Sequence, residues 1–123
     1  MSLMSEMNSQ KSKTISIGSY QISQDAMATI IDKAASSVEG VATRHSQFMS
    51  NLSHRHKTIK NLRTIIGHDN IALSLAIGIE YGQVIPQVAG RVQQEIKKAL
   101  ESMTGLMVKS VDVVVDYVSF RSK

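Results

Sequence analysis

Four histidines are the residues whose chemistry most needs testing: His45, His54, His56 and His68. His54 and His56 flank Arg55, so an extended segment would put both imidazoles on one side, as a metal ion requires. The surrounding sequence argues against a cation. Between positions 44 and 68 the chain carries five basic residues, Arg44, Arg55, Lys57, Lys60 and Arg63, and no Asp or Glu. No carboxylate is at hand to complete a ligand set, and Arg55 repels a cation placed between the two rings. The histidines are therefore read as solvated polar residues of a basic segment, and no metal is expected.

Other reactive patterns are missing from the sequence. The chain has no cysteine, which excludes a thiol nucleophile, a thiolate metal site and a disulfide together. No Gly-x-Ser-x-Gly elbow and no phosphate-cradling glycine loop occurs. The acids do not form a dyad that can be argued from spacing. The expectation is a protein that binds and does not catalyse, with no cofactor.

What it binds is suggested by charge. The formal net charge is +4, and residues outside 44–68 carry nine Lys/Arg against ten Asp/Glu, so the whole excess lies in one segment. Such a segment attracts phosphate, lipid headgroups or an acidic protein. Arg44, Arg55, Lys57, Lys60 and Arg63 are the candidate contacts. Tyr81 is a sixth, because Tyr81-Gly82 joins a strand to a helix whose free N–H groups could meet an anion. A plain tight turn is the better reading of that pair. RNA is the alternative ligand for 44–68, but stacking platforms are few (Tyr20, Phe48, Tyr81, Tyr117 and Phe120), and no Gly-x-x-Gly tetrad appears.

The elements that must position these residues follow from periodicity. Residues 1–13 are polar and aperiodic and are expected to form a disordered tail, with one domain over 14–123. Residues 15–22 alternate loosely and read as one short strand bent at Gly18. Ser23 is a natural N-cap for a helix running to about Ser37, with an apolar stripe through Ala26, Met27, Ile30, Ile31, Ala34, Ala35 and Val38 and Gly40 placed to end it. Residues 44–66 read as loop with some helix. Residues 71–79 alternate strictly, with Ile71, Leu73, Leu75, Ile77 and Ile79 against Ala72, Ser74, Ala76 and Gly78, and predict a strand with one core face. The small face is either solvent-facing or a place where another backbone comes close. Pro86 opens a second helix with a stripe from Ile85 to Met103, and Gly105 closes it. Arg91–Glu95 and Lys97–Glu101 are expected as pairs on its exposed side. Residues 108–120 form a β-branched last strand, with Asp112 and Asp116 on one face.

These elements imply a two-layer α/β sandwich: a small mixed sheet of about three to four strands with two main helices packed on it. The last two strands, joined through a helix, are expected to be parallel. The apolar runs fall well short of the ~20 residues that cross a bilayer.

Glu80-Tyr81-Gly82-Gln83-Val84-Ile85-Pro86-Gln87-Val88-Ala89, Arg91-Val92-Gln93, and Met103-Thr104-Gly105-Leu106 followed by Val108 and the valines of 111–115 resemble the alkaline shock protein family. Gly18, Ile22-Ser23, Ala34-Ala35 and Val38-Glu39-Gly40-Val41 match its opening pattern, so the likeness runs from about 18 to 120. Gln87, Gly90 and the unusually basic 44–66 depart from it. The resemblance implies a bacterial general-stress or cell-envelope-stress protein of Gram-positive type, cytoplasmic and without catalytic activity. It also implies self-association into a homo-oligomer and attachment near the membrane through a protein partner, itself membrane-anchored. No catalytic residue is carried over.

Overall fold

The computed structural model describes residues 14–17, 20–43 and 58–120. Along the chain these form β1 (Thr14–Ile17), β2 (Tyr20–Ser23), α1 (Gln24–Ser36), β3 (Val41–Ala42), β4 (Lys60–Ile66), β5 (Asn70–Glu80), α2 (Ile85–Thr104) and β6 (Met107–Ser119). The expected tail, residues 1–13, lies outside the described residues.

β5 is the central strand because its two edges are both taken. β6 runs parallel along its whole length, from Asn70 opposite Met107 to Glu80 opposite Ser119. The other edge is shared end to end by β4, which pairs antiparallel from Lys60–Ala76 to Ile66–Ile71, and by β3, which pairs Val41 with Ile79 and Ala42 with Gly78. The sheet is mixed and four-stranded with two helices on it, the two-layer α/β arrangement expected from periodicity. The parallel relation of the last two strands holds as well.

The core is built from one side of β5. Ile71, Leu73, Leu75, Ile77 and Ile79 are buried and cluster with Met27 and Ile31 of α1 and with Val88, Val92, Ile96 and Leu100 of α2. Each fully buried side chain of this size contributes roughly 1.5–3 kcal/mol. The α2 row is spaced strictly at four residues and ends at Thr104, which is buried. Ile85 and Met103 were expected on it but lie off the row and are exposed, because steps of four define a narrow ridge.

Local signals set the helix ends with one exception. The Ser23 hydroxyl accepts the Ala26 N–H at 2.9 Å, and Gly105 closes α2 in the left-handed region at φ 81°. Gly40 does not cap α1. The Ser36 and Ser37 hydroxyls turn back onto the Lys33 and Ala34 carbonyls at 3.0 and 2.7 Å and satisfy the last turn earlier. Gly40, at φ 99°, then steers the chain into β3.

Two expected elements are corrected. Residues 15–22 are not one bent strand. β1 and β2 pair antiparallel as a hairpin, Ile15 opposite Ile22, with its own ladder. Residues 60–66, expected as loop with some helix, form β4, because the open edge of β5 supplies ladder partners that local propensity does not register. The remainder of that expectation, residues 44–57, lies outside the described residues. Among the described residues no helix is long and apolar enough to cross a membrane.

Candidate interaction face

Paired residues in a ladder point to the same face of the sheet, so the register of β4, β5 and β6 can be read as rungs. On the face away from the helices, Ile65, Ala72 and Ser110 form one rung; Arg63, Ser74 and Asp112 form the next; Lys60, Ala76 and Val114 form the third. The centre of every rung is a small residue, with Ile65, Arg63 and Lys60 on the β4 flank and Ser110, Asp112 and Val114 on the β6 flank. The result is a trough of about 520 Å³ lined by Arg63, Ile65, Ala72, Ser74, Ser110 and Asp112, with Gln24 at the β4 side. The Gln24 amide donates to Thr64 Oγ1 at 3.2 Å and ties α1 to that edge. Ile65 is 74% exposed and Val114 55%, so the face offers apolar side chains beside its charges.

A bulge makes the basic flank. Residues 60 and 63 are an odd number apart and would point to opposite faces of a regular strand. The register shifts between Lys60 and Arg63, with Asn61 in the left-handed region at φ 56°, and both cations reach the same face. On the opposite flank a second bulge falls between Val115 and Tyr117, and Tyr117 arrives opposite Gly78. Its ring packs directly over Gly78, where a Cβ would collide with it. The small face of β5 is thus partly exposed at Ala72 and Ser74, as the first reading had it, and at Gly78 it is approached by a side-chain ring instead of another backbone. The expectation that Asp112 and Asp116 share a face is altered by the same bulge, because Tyr117 takes the rung position.

The sequence candidates are divided by the fold. Lys60 and Arg63 lie together on this face, exposed. Arg44, Arg55, Lys57 and the histidines at 45, 54 and 56 lie outside the described residues, while His68 is exposed in the turn before β5. Tyr81 is 72% exposed and stacks on Phe120 with ring centroids 5.2 Å apart. It follows the far end of β5, seven residues beyond Ser74, a run of ~23 Å at the rise of a strand. The Tyr81–Phe120 pair and the cations thus sit apart, and the ring on the cations' own face, Tyr117, is packed over Gly78. The Tyr81-Gly82 pair is the tight turn expected as its plainer reading, with the Gln83 N–H donating to the Glu80 carbonyl at 3.2 Å.

Three placements had no local signal. Asp32 interrupts the α1 stripe; its Oδ1 accepts the backbone N–H groups of Thr58 at 2.9 Å and Ile59 at 3.0 Å, fixing the chain as it enters β4. Gln93 donates to the Val111 carbonyl at 2.9 Å, and Glu101 accepts the Val108 N–H at 3.0 Å. These two α2 side chains satisfy outward backbone groups along the first half of β6, which blunts that sheet edge against strand addition. Glu101, expected opposite Lys97 in a surface pair, serves the edge instead. Among the described residues no group of three or more His, Asp or Glu is placed to hold a metal ion.

This two-layer α/β fold is shared with known structures. A MamM CTD solved in a zinc form superposes with a TM-score of 0.50 at 18% identity, covering 79% of this chain and 88% of that one. At that identity the likeness concerns the fold alone. The family profile of the alkaline shock proteins, described by a cell envelope-related function, matches residues 12–120, and the chain belongs to that family. A curated relative, the uncharacterized protein YqhY of Bacillus subtilis, is 26% identical over 110 residues, 87% of this chain and 82% of that protein.

Proposed function

We propose that this protein is a non-catalytic scaffold of the general or cell-envelope stress response that self-associates and is held at the cytoplasmic side of the membrane by a protein partner. Membership of a family with a cell envelope-related function supports the location. The observation that carries the binding role is the sheet face opposite α1 and α2, where Ile65 and Val114 stay exposed beside Arg63 and Asp112. Apolar side chains held in water on both strands that flank β5, beside a cation and an acid, suit a contact surface.

The reading is tested by light scattering and by sedimentation with membranes. The mass rises above the 13.5 kDa of one chain as concentration rises. The protein sediments with membranes that retain their proteins and stays in solution with protein-free vesicles of the same lipids. A strict monomer that remains soluble beside native membranes contradicts the proposal.

A further inference from the structure

The three rungs carry a charge pattern that constrains how a second copy could sit. Cations lie on one flank, Lys60 and Arg63 of β4, and Asp112 lies on the other, on β6. Arg63 and Asp112 occupy one rung, separated by the hydroxyl of Ser74, and neither forms an ion pair among the described residues. Two strand spacings, ~9.6 Å, keep the two flanks apart within one chain.

Homodimers close by a two-fold axis, and two sheets stacked face to face with their strands aligned admit two orientations of that axis in the plane between them. An axis running across the strands lays β4 over β4 and β6 over β6. It brings Lys60 and Arg63 against the same cations of the partner subunit, and Asp112 against another acid. An axis running along β5 lays β4 of each copy over β6 of the other and keeps the height along the strand unchanged. Arg63 then meets Asp112 of the partner subunit, and the contact occurs twice. Stacked sheets lie ~10 Å apart with strands within about 30° of each other. A guanidinium on its long stem, reaching toward a short carboxylate, spans that gap. Ile65 and Val114 flank the contact on the neighbouring rungs and supply its apolar part.

We propose that the sheet face opposite α1 and α2 binds a second copy of this chain about a two-fold axis parallel to β5, with Arg63 of each protomer paired to Asp112 of the partner subunit. This rests on the self-association proposed above and names its surface and orientation. Edge pairing through β6 is the competing geometry. The bulges at both ends of β6, with Gln93 and Glu101 bonded to its backbone, weigh against it.

Charge reversal with complementation tests it by sedimentation velocity at matched concentration. Arg63→Glu places two acid–acid contacts in the homodimer, and Asp112→Arg places two cation–cation contacts. Each variant alone raises the dimer dissociation constant by about 100-fold or more, the cost of like charges juxtaposed at an interface. An equimolar mixture restores both contacts in the heterodimer, and association returns to within about tenfold of wild type. Circular dichroism of the single variants shows that they fold, because both positions are exposed. If wild type self-associates but the variants do so equally well, or the mixture gives no rescue, this orientation is overturned and the scaffold reading stands. If wild type is a monomer at every concentration, the self-association itself fails and the orientation fails with it.

Discussion

The two faces of β5 are written in one strand and do opposite things. Ile71, Leu73, Leu75, Ile77 and Ile79 are at most 3% exposed and close the core with both helices, while Ala72 and Ser74 between them keep part of their surface on the opposite side. Burial on the first face supplies the stability of the domain. The second face gives up that burial, and its small residues recess the centre of the sheet between a basic and an acidic flank. The comparison teaches that small residues in an otherwise branched strand here mark where something else approaches: the Tyr117 ring at Gly78, and open space at Ala72 and Ser74.

Substitutions on the two faces should separate folding from association. Leu75→Ala, on the core face, has the largest effect and lowers unfolding free energy by ~2–5 kcal/mol in urea titration. Gly78→Ala, on the opposite face of the same strand, costs about 3 kcal/mol, because the added Cβ collides with the Tyr117 ring and that ring must move. Asp32→Ala removes the acceptor for the Thr58 and Ile59 N–H groups and costs about 2 kcal/mol, whereas Asp32→Asn keeps a carbonyl oxygen in place and restores most of it in the same titration. The double change Ile65→Ser with Val114→Ser shifts monomer stability by less than ~0.5 kcal/mol per site, yet weakens association in light scattering. A large loss of stability from that pair would show that the open face belongs to the core.

The sequence made the core face of β5 legible because strict alternation over nine residues admits no other period. It made α2 legible because Pro86 and Gly105 bracket a clean ridge. β4 was not legible. Ile59, Leu62 and Ile65 recur at three-residue spacing and imitate a helix, and Asn61 breaks the alternation at the bulge that the β5 ladder accommodates. Arg63 could be singled out as a charge, but its opposition to Asp112 depends on β6 lying beside β5 in a particular register, a relation between residues 49 positions apart in the chain. Asp32 carried no signal, since a carboxylate on a helix stripe reads as an ordinary surface residue until the start of β4 is placed against it.

The central claim is that the sheet face opposite the helices is where this protein meets its own kind. A concentration series of amide and methyl NMR spectra tests it most directly. The account predicts that signals of Ile65, Ser74, Asp112 and Val114 shift together as concentration rises, while those of the outward α2 residues Arg91, Gln94 and Lys98 stay fixed. Shifts confined to α2, or to the Tyr81–Phe120 end with the trough unmoved, would contradict it.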